Sequence, residues 1–63
     1  MKKYKHFKGS VYEMLFEAEH SETKEKMIVY RNEHGKIFVR PSTMFFDTVE
    51  KDGEIVARFQ ECD

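Results

Sequence analysis

Residues 27–40 read Met27-Ile28-Val29-Tyr30-Arg31, then Asn32-Glu33-His34-Gly35, then Lys36-Ile37-Phe38-Val39-Arg40. Two runs rich in β-branched and aromatic side chains flank four residues of turn character, the signature of a β-hairpin. Asn32 suits the first position of a type I turn, and Gly35 can take the positive φ that lets the ladder resume.

Upstream of this hairpin, Tyr12, Met14, Phe16 and Ala18 recur at period two, with Glu13 and Glu17 between them. That alternation predicts a half-buried strand from Val11 to Ala18. Leu15 breaks the pattern and marks an edge or bend position in a curled sheet. Downstream, Pro41 fixes φ and removes a ladder donor, so the strand stops there. Ser42 or Thr43 can then cap one helical turn carrying Met44, Phe45 and Phe46, too short to stand without packing. Asp52-Gly53, between Phe46–Lys51 and Glu54–Phe59, predicts a second hairpin with a type I′ turn. The expected fold is all-β, a small SH3-like barrel of about five strands with one short helical turn, one domain over residues 1–63. The expected core is Tyr12, Met14, Phe16, Ile28, Tyr30, Ile37, Val39, Met44, Phe45, Val49, Val56 and Phe59.

At 63 residues the chain is too short for an enzyme with a deep cleft between domains. A single cysteine, Cys62, excludes an intramolecular disulfide. No apolar run approaches the roughly 18 residues of a membrane span, and Met1-Lys2-Lys3-Tyr4-Lys5 leads into no apolar signal region. A cytoplasmic location and no membrane partner are expected. Eleven Lys and Arg against twelve Asp and Glu give a net charge of −1. That near-balance hides a basic start: Lys2, Lys3, Lys5 and Lys8 precede any acid, whereas six acids face only Lys51 and Arg58 beyond residue 41. With Tyr4, His6 and Phe7 interleaved, this arm could bind phosphates and stack on bases, although lysines near a terminus also serve simply to solubilise it.

Chemistry-bearing groups gather in Glu19-His20-Ser21-Glu22-Thr23, at the expected end of the first strand. A nucleophilic serine needs its base within about 3 Å, held by a third group, and adjacent residues of an extended chain point to opposite sides. His20 and Ser21 are therefore poorly placed as a catalytic pair. The same residues make a polar turn, its amides satisfied by the hydroxyls of Ser21 and Thr23 and Glu22 paired with Lys24 or Lys26. His6, His20, His34 and Cys62 occur singly, without metal-ligand spacing, and no glycine-rich phosphate loop is present, so no metal or cofactor is expected. Arg31, Arg40 and Arg58 fall near strand ends, where a guanidinium can present its planar fork to a carboxylate or phosphate or pair with neighbouring acids.

Tyr4-Lys5-His6-Phe7-Lys8-Gly9, Val11-Tyr12-Glu13, Ala18-Glu19-His20-Ser21-Glu22-Thr23, Val29-Tyr30, Val39-Arg40-Pro41, Met44-Phe45 and Arg58-Phe59 together span nearly the whole chain in order. In these pieces the chain resembles the bacterial family known as domain of unknown function 1653. The resemblance implies an SH3-like small barrel and no established activity. It also draws in His6, the loop from His20 to Thr23, Tyr30 and Arg40. The resulting expectation is a non-catalytic binding module in which His6, His20, Ser21, Glu22, Thr23, Tyr30 and Arg40 line one groove for a small polar or anionic ligand or a peptide. Two other classes stand beside it: nucleic-acid binding through Lys2, Lys3, Tyr4, Lys5, Phe7 and Lys8, and a small hydrolase or transferase using His20 as base. Weak homo-oligomerisation through Phe38 or Phe46 is a further expectation, because self-association adds buried area that so small a monomer lacks.

Overall fold

The computed structural model describes residues 2–62. Seven strands and one helical turn follow one another as β1 (Lys3–His6), β2 (Val11–Glu19), β3 (Lys26–Arg31), β4 (Ile37–Pro41), α1 (Ser42–Phe45), β5 (Thr48–Lys51), β6 (Glu54–Ala57) and β7 (Phe59–Cys62). The main sheet has the order β4-β3-β2-β1-β7, and β5 pairs only with β6. All the pairings are antiparallel. The all-β fold with one short helical turn therefore holds, with seven strands in place of five. The sheet is not closed, because the hairpin that follows α1 forms a ladder of its own instead of bridging β4 to β7.

The turns form as their residues dictate. Asn32 Oδ1 accepts the amides of His34 and Lys36, both at 2.9 Å, and Gly35 sits at φ 82°. Asp52 and Gly53 lie at φ 53° and 81°, the two positive values a type I′ turn requires. Pro41 ends β4 and stands at the N-terminus of α1, which no side chain caps. That corrects the expected capping by Ser42 or Thr43. The turn is held by packing, since the Phe45 side chain is fully buried.

The two extra strands lie at the chain's ends. Lys3-Tyr4-Lys5-His6 is an interior strand between β2 and β7, not a free basic arm. Its alternation sends Tyr4 into the core, so Tyr4 offers no face on which a base could stack. The expected last strand breaks at Arg58. The Arg58 amide donates to Asp47 O at 3.0 Å and its carbonyl accepts the Phe7 amide at 2.9 Å, so the chain leaves the β5–β6 hairpin and joins β1.

The core is smaller than the sequence suggests: Tyr4, Ile28, Tyr30, Phe45 and Phe59, with Tyr12, Met14 and Phe38 packed against it. Phe16, Ile37, Val39 and Met44 are exposed, not buried. One bulge moves Phe16. Met14 pairs with Tyr30 but Phe16 pairs with Val29, which leaves Leu15 as an extra residue. A one-residue slip exchanges the faces of a strand, so Phe16 joins Val29 on the outer side while Tyr12 and Met14 remain inside. Ile37 and Val39 follow from register: they pair with Arg31 and Val29, whereas Phe38 and Arg40 pair with Tyr30 and Ile28 of the core face.

Candidate functional site

The inner face of the sheet carries a continuous aromatic cluster. Phe59 lies at its centre, stacked on Phe45 with centroids 4.2 Å apart and planes 5° from parallel. Its ring also meets the rings of His6 (4.9 Å), Tyr12 (5.7 Å) and Tyr30 (5.5 Å) edge-on. Tyr30 stacks on Phe38 at 5.6 Å. Such pairs contribute about 0.5–1.5 kcal/mol each beyond the area they bury.

Arg40 lies over this floor. Its guanidinium carbon is 5.5 Å from the Phe59 centroid, and its Nε donates to the Tyr30 hydroxyl at 3.3 Å. Stacking and hydrogen bond together hold a normally flexible side chain in one orientation. The other two arginines are neutralised. Arg31 Nε donates to Glu13 Oε1 at 2.8 Å, and Arg58 grips both oxygens of Asp47, at 2.7 and 3.4 Å. Among the described residues Arg40 has no carboxylate within ion-pair distance. It is a positive charge on an aromatic surface, half-buried.

His6 borders the same region. Its Nδ1 accepts the Lys8 amide at 3.2 Å, which places the proton of the neutral ring on Nε2. Burial, and then the positive charges of Arg40, Lys8 and Arg58, hold its pKa below the ordinary 6.5. Asp47 lies lower than a free carboxylate, chiefly through its bond to Arg58, and it also feels the charge of Arg40.

The expected groove is divided. His6, Tyr30 and Arg40 come together around Phe59. His20, Ser21, Glu22 and Thr23 form the loop beyond the far end of β2, whereas His6 lies just before that strand begins, so the nine residues Val11–Glu19 separate them. The loop is satisfied from within. His20 Nδ1 accepts the amides of Glu22 (3.2 Å) and Thr23 (3.3 Å), and Thr23 Oγ1 accepts that of Glu25 at 3.2 Å. The backbone of His20 bonds to Glu25 and Lys24 at 2.8 and 2.9 Å, and Lys24 adopts φ 65°. Nδ1 of His20 is thereby engaged within its own loop. Among the described residues no three His, Cys, Asp or Glu side chains are grouped as a metal site would need.

Three members of the cluster, Tyr12, Phe38 and Phe59, stand in the sequence as expected core or as an expected oligomer contact, not as part of a site. The signal was present: Val39-Arg40 and Arg58-Phe59 stand out as paired charge and apolar residues, but nothing in their spacing brings β4 onto β7. Beside His6, the residues Lys5, Phe7, Lys51 and Gln60 line one shallow pocket with it. Lys51 Nζ donates there to the Phe7 carbonyl at 3.1 Å, and the Lys8 ammonium lies 5.8 Å from the Phe7 centroid.

Fold and site together define a small all-β protein with an arginine poised over an aromatic floor. Residues 2–61 match the family model described as protein of unknown function (DUF1653), and the chain belongs to that family. No curated protein and no solved structure matches it. No helix among the described residues is long and apolar enough to cross a membrane.

Proposed function

We propose that this chain is a non-catalytic binding module that takes a small anionic ligand, or an anionic group of a peptide, at Arg40. A single observation carries the reading: Arg40 is held by Phe59 and Tyr30 yet, among the described residues, lacks the carboxylate that each of the other two arginines has. A guanidinium fixed in this way loses little freedom when it forms a bidentate pair with a carboxylate or phosphate. Tyr12 and Phe38 would supply an apolar wall, and His6 a neutral N–H donor.

The test is a low-salt NMR titration of the protein with inorganic phosphate and with succinate. Resonances of His6, Tyr30, Arg40 and Phe59 should move together in a saturable way, and Arg40→Gln should abolish the response. Signals that stay still in both titrations, or that move equally in the variant, reject the reading.

Nucleic-acid binding is the second reading, favoured by the pocket that adds Lys51 to Lys5 and Phe7. Phe7 would stack on a base, and Lys2, Lys3, Lys5 and Lys8 would meet phosphates. Titration with single-stranded oligonucleotides should then give a log affinity falling with log salt by about 0.7 per phosphate neutralised. Absence of binding at low salt removes this reading.

A further inference from the structure

Strand β4 is an edge of the main sheet, and the β3–β4 turn shows which of its peptide groups are free. The Asn32 amide donates to Lys36 O at 2.9 Å, so that pair is a hydrogen-bonded one. In an antiparallel ladder such pairs alternate with non-bonded ones. Following the register along β4, Phe38 and Arg40 bond to β3, while Ile37 and Val39 turn their N–H and C=O groups to the open side. Pro41 falls on that open side too, where its missing N–H breaks no ladder bond. The edge therefore offers two donors and two acceptors in the spacing of a strand.

The side chains around the edge differ by face. On the outer face Ile37 and Val39 are 62% and 60% exposed, and Phe16, 66% exposed, extends the apolar surface across Val29. On the inner face lie Phe38 and Arg40, which has no ion-pair partner among the described residues. The stretch Lys36-Ile37-Phe38-Val39-Arg40 contains two cations and no acid. A second copy of the same edge is a poor partner, because antiparallel pairing about Val39 would set two Arg40 side chains diagonally on one face, where like charges oppose.

We propose that β4 accepts an extended acidic–apolar peptide segment as an additional strand. The segment bonds to the main chain of Ile37 and Val39, packs apolar side chains against those two residues on the outer face, and directs a carboxylate to Arg40 on the inner face. Main-chain bonds then supply affinity and alternate side chains supply selectivity. This inference rests on the reading of Arg40 as an anion-binding group and names what carries the anion.

The test uses a blocked six-residue peptide alternating valine and glutamate, with two controls: a copy methylated on the amides that would face β4, and a copy with glutamine in place of glutamate. Amide hydrogen exchange at Ile37 and Val39 should slow at least about tenfold on binding, and methylation, the glutamine peptide and Arg40→Gln should each weaken binding at least about tenfold. If Arg40→Gln and the glutamine peptide weaken binding but methylation does not, strand addition is overturned while the Arg40 reading stands. If methylation alone weakens binding, the Arg40 reading and the acidic class fail together, and only a bare edge remains. Concentration-dependent protection of Ile37 and Val39 without peptide would assign the edge to a second copy and overturn the proposal. Absence of binding at millimolar peptide would overturn it as well. The methylated peptide leaves the protein unaltered, so the result does not depend on the variant folding.

Discussion

Phe45 and Phe59 stack face to face at 4.2 Å, joining the single helical turn to the first residue of the last strand. Through this contact α1, which packs on β3 and β4, is tied to β7, and through Phe59 the floor beneath Arg40 is fixed. The stability of the fold and the shape of the candidate site therefore depend on the same pair of rings.

Truncating Phe45 should be severe. Replacing a buried Phe by Ala costs about 3–5 kcal/mol, comparable with the whole stability of about 3–5 kcal/mol that a single core of this size supplies. Phe45→Ala should be largely unfolded at 25 °C by circular dichroism and one-dimensional NMR. Phe16→Ala, on the exposed side of the bulge, should stay folded with a stability change within about 0.5 kcal/mol. Equal losses in the two variants would contradict the assignment of Phe16 to the outer face.

Acid sensitivity should come in two stages. His6 has a folded pKa below 6.5 and Asp47 one below 3.8. For both, the unfolded chain binds the proton more readily than the folded one. Each contribution is thus complete above the unfolded value and is lost as pH falls through the folded one. Stability measured by urea titration should begin to fall below about pH 6.5, from His6, and fall further below about pH 4, from Asp47. Asp47→Asn should remove the lower step and leave the upper one; two steps of unchanged size in that variant would refute the assignment.

The His6 titration also reports on Arg40. Positive charge at Arg40 is the second cause of the depressed imidazole pKa, after burial. In Arg40→Gln the NMR midpoint of His6 should rise toward 6.5, and in the native protein a saturating anion at Arg40 should move it in the same direction. A midpoint indifferent to both changes would separate His6 from the site.

The His20 loop should behave as a structural cap. His20→Ala removes the acceptor of two amides, a loss of about 1 kcal/mol, or roughly 4–8 °C in Tm for a domain of this size. Hydrogen exchange should quicken at Glu22 and Thr23 but not at Ile28 or Tyr30. His20→Asn, whose side-chain oxygen can accept the same amides, should recover part of the loss. Loss of anion binding in His20→Ala at unchanged stability would instead restore this loop to the site.

Local physical chemistry made several features legible from the residues alone. Asp52-Gly53 and Asn32 with Gly35 announce their turns because few other residues tolerate those dihedrals or supply those acceptors, and Pro41 must end a ladder that needs an N–H. The β-branched runs on either side declare strands for the same local reason. The strand Lys3–His6 is not among the expected elements, because four lysines within eight residues read as a solvated arm until pairing with β2 and β7 covers Tyr4.

The pairing of strands distant in sequence decided the rest. Alternation shows that a strand has two faces; it does not say which one is covered, and a single extra residue at Leu15 reverses the answer for everything after it on β2. The meeting of Arg40 with Phe59, and of Tyr30 with both, depends on β7 returning beside β1 and on α1 folding beneath β3 and β4. Those contacts form only when the entropy of closing long loops is repaid by the burial of Phe45, Ile28 and Phe59 together. That sum is taken over the whole molecule, and no stretch of sequence contains it.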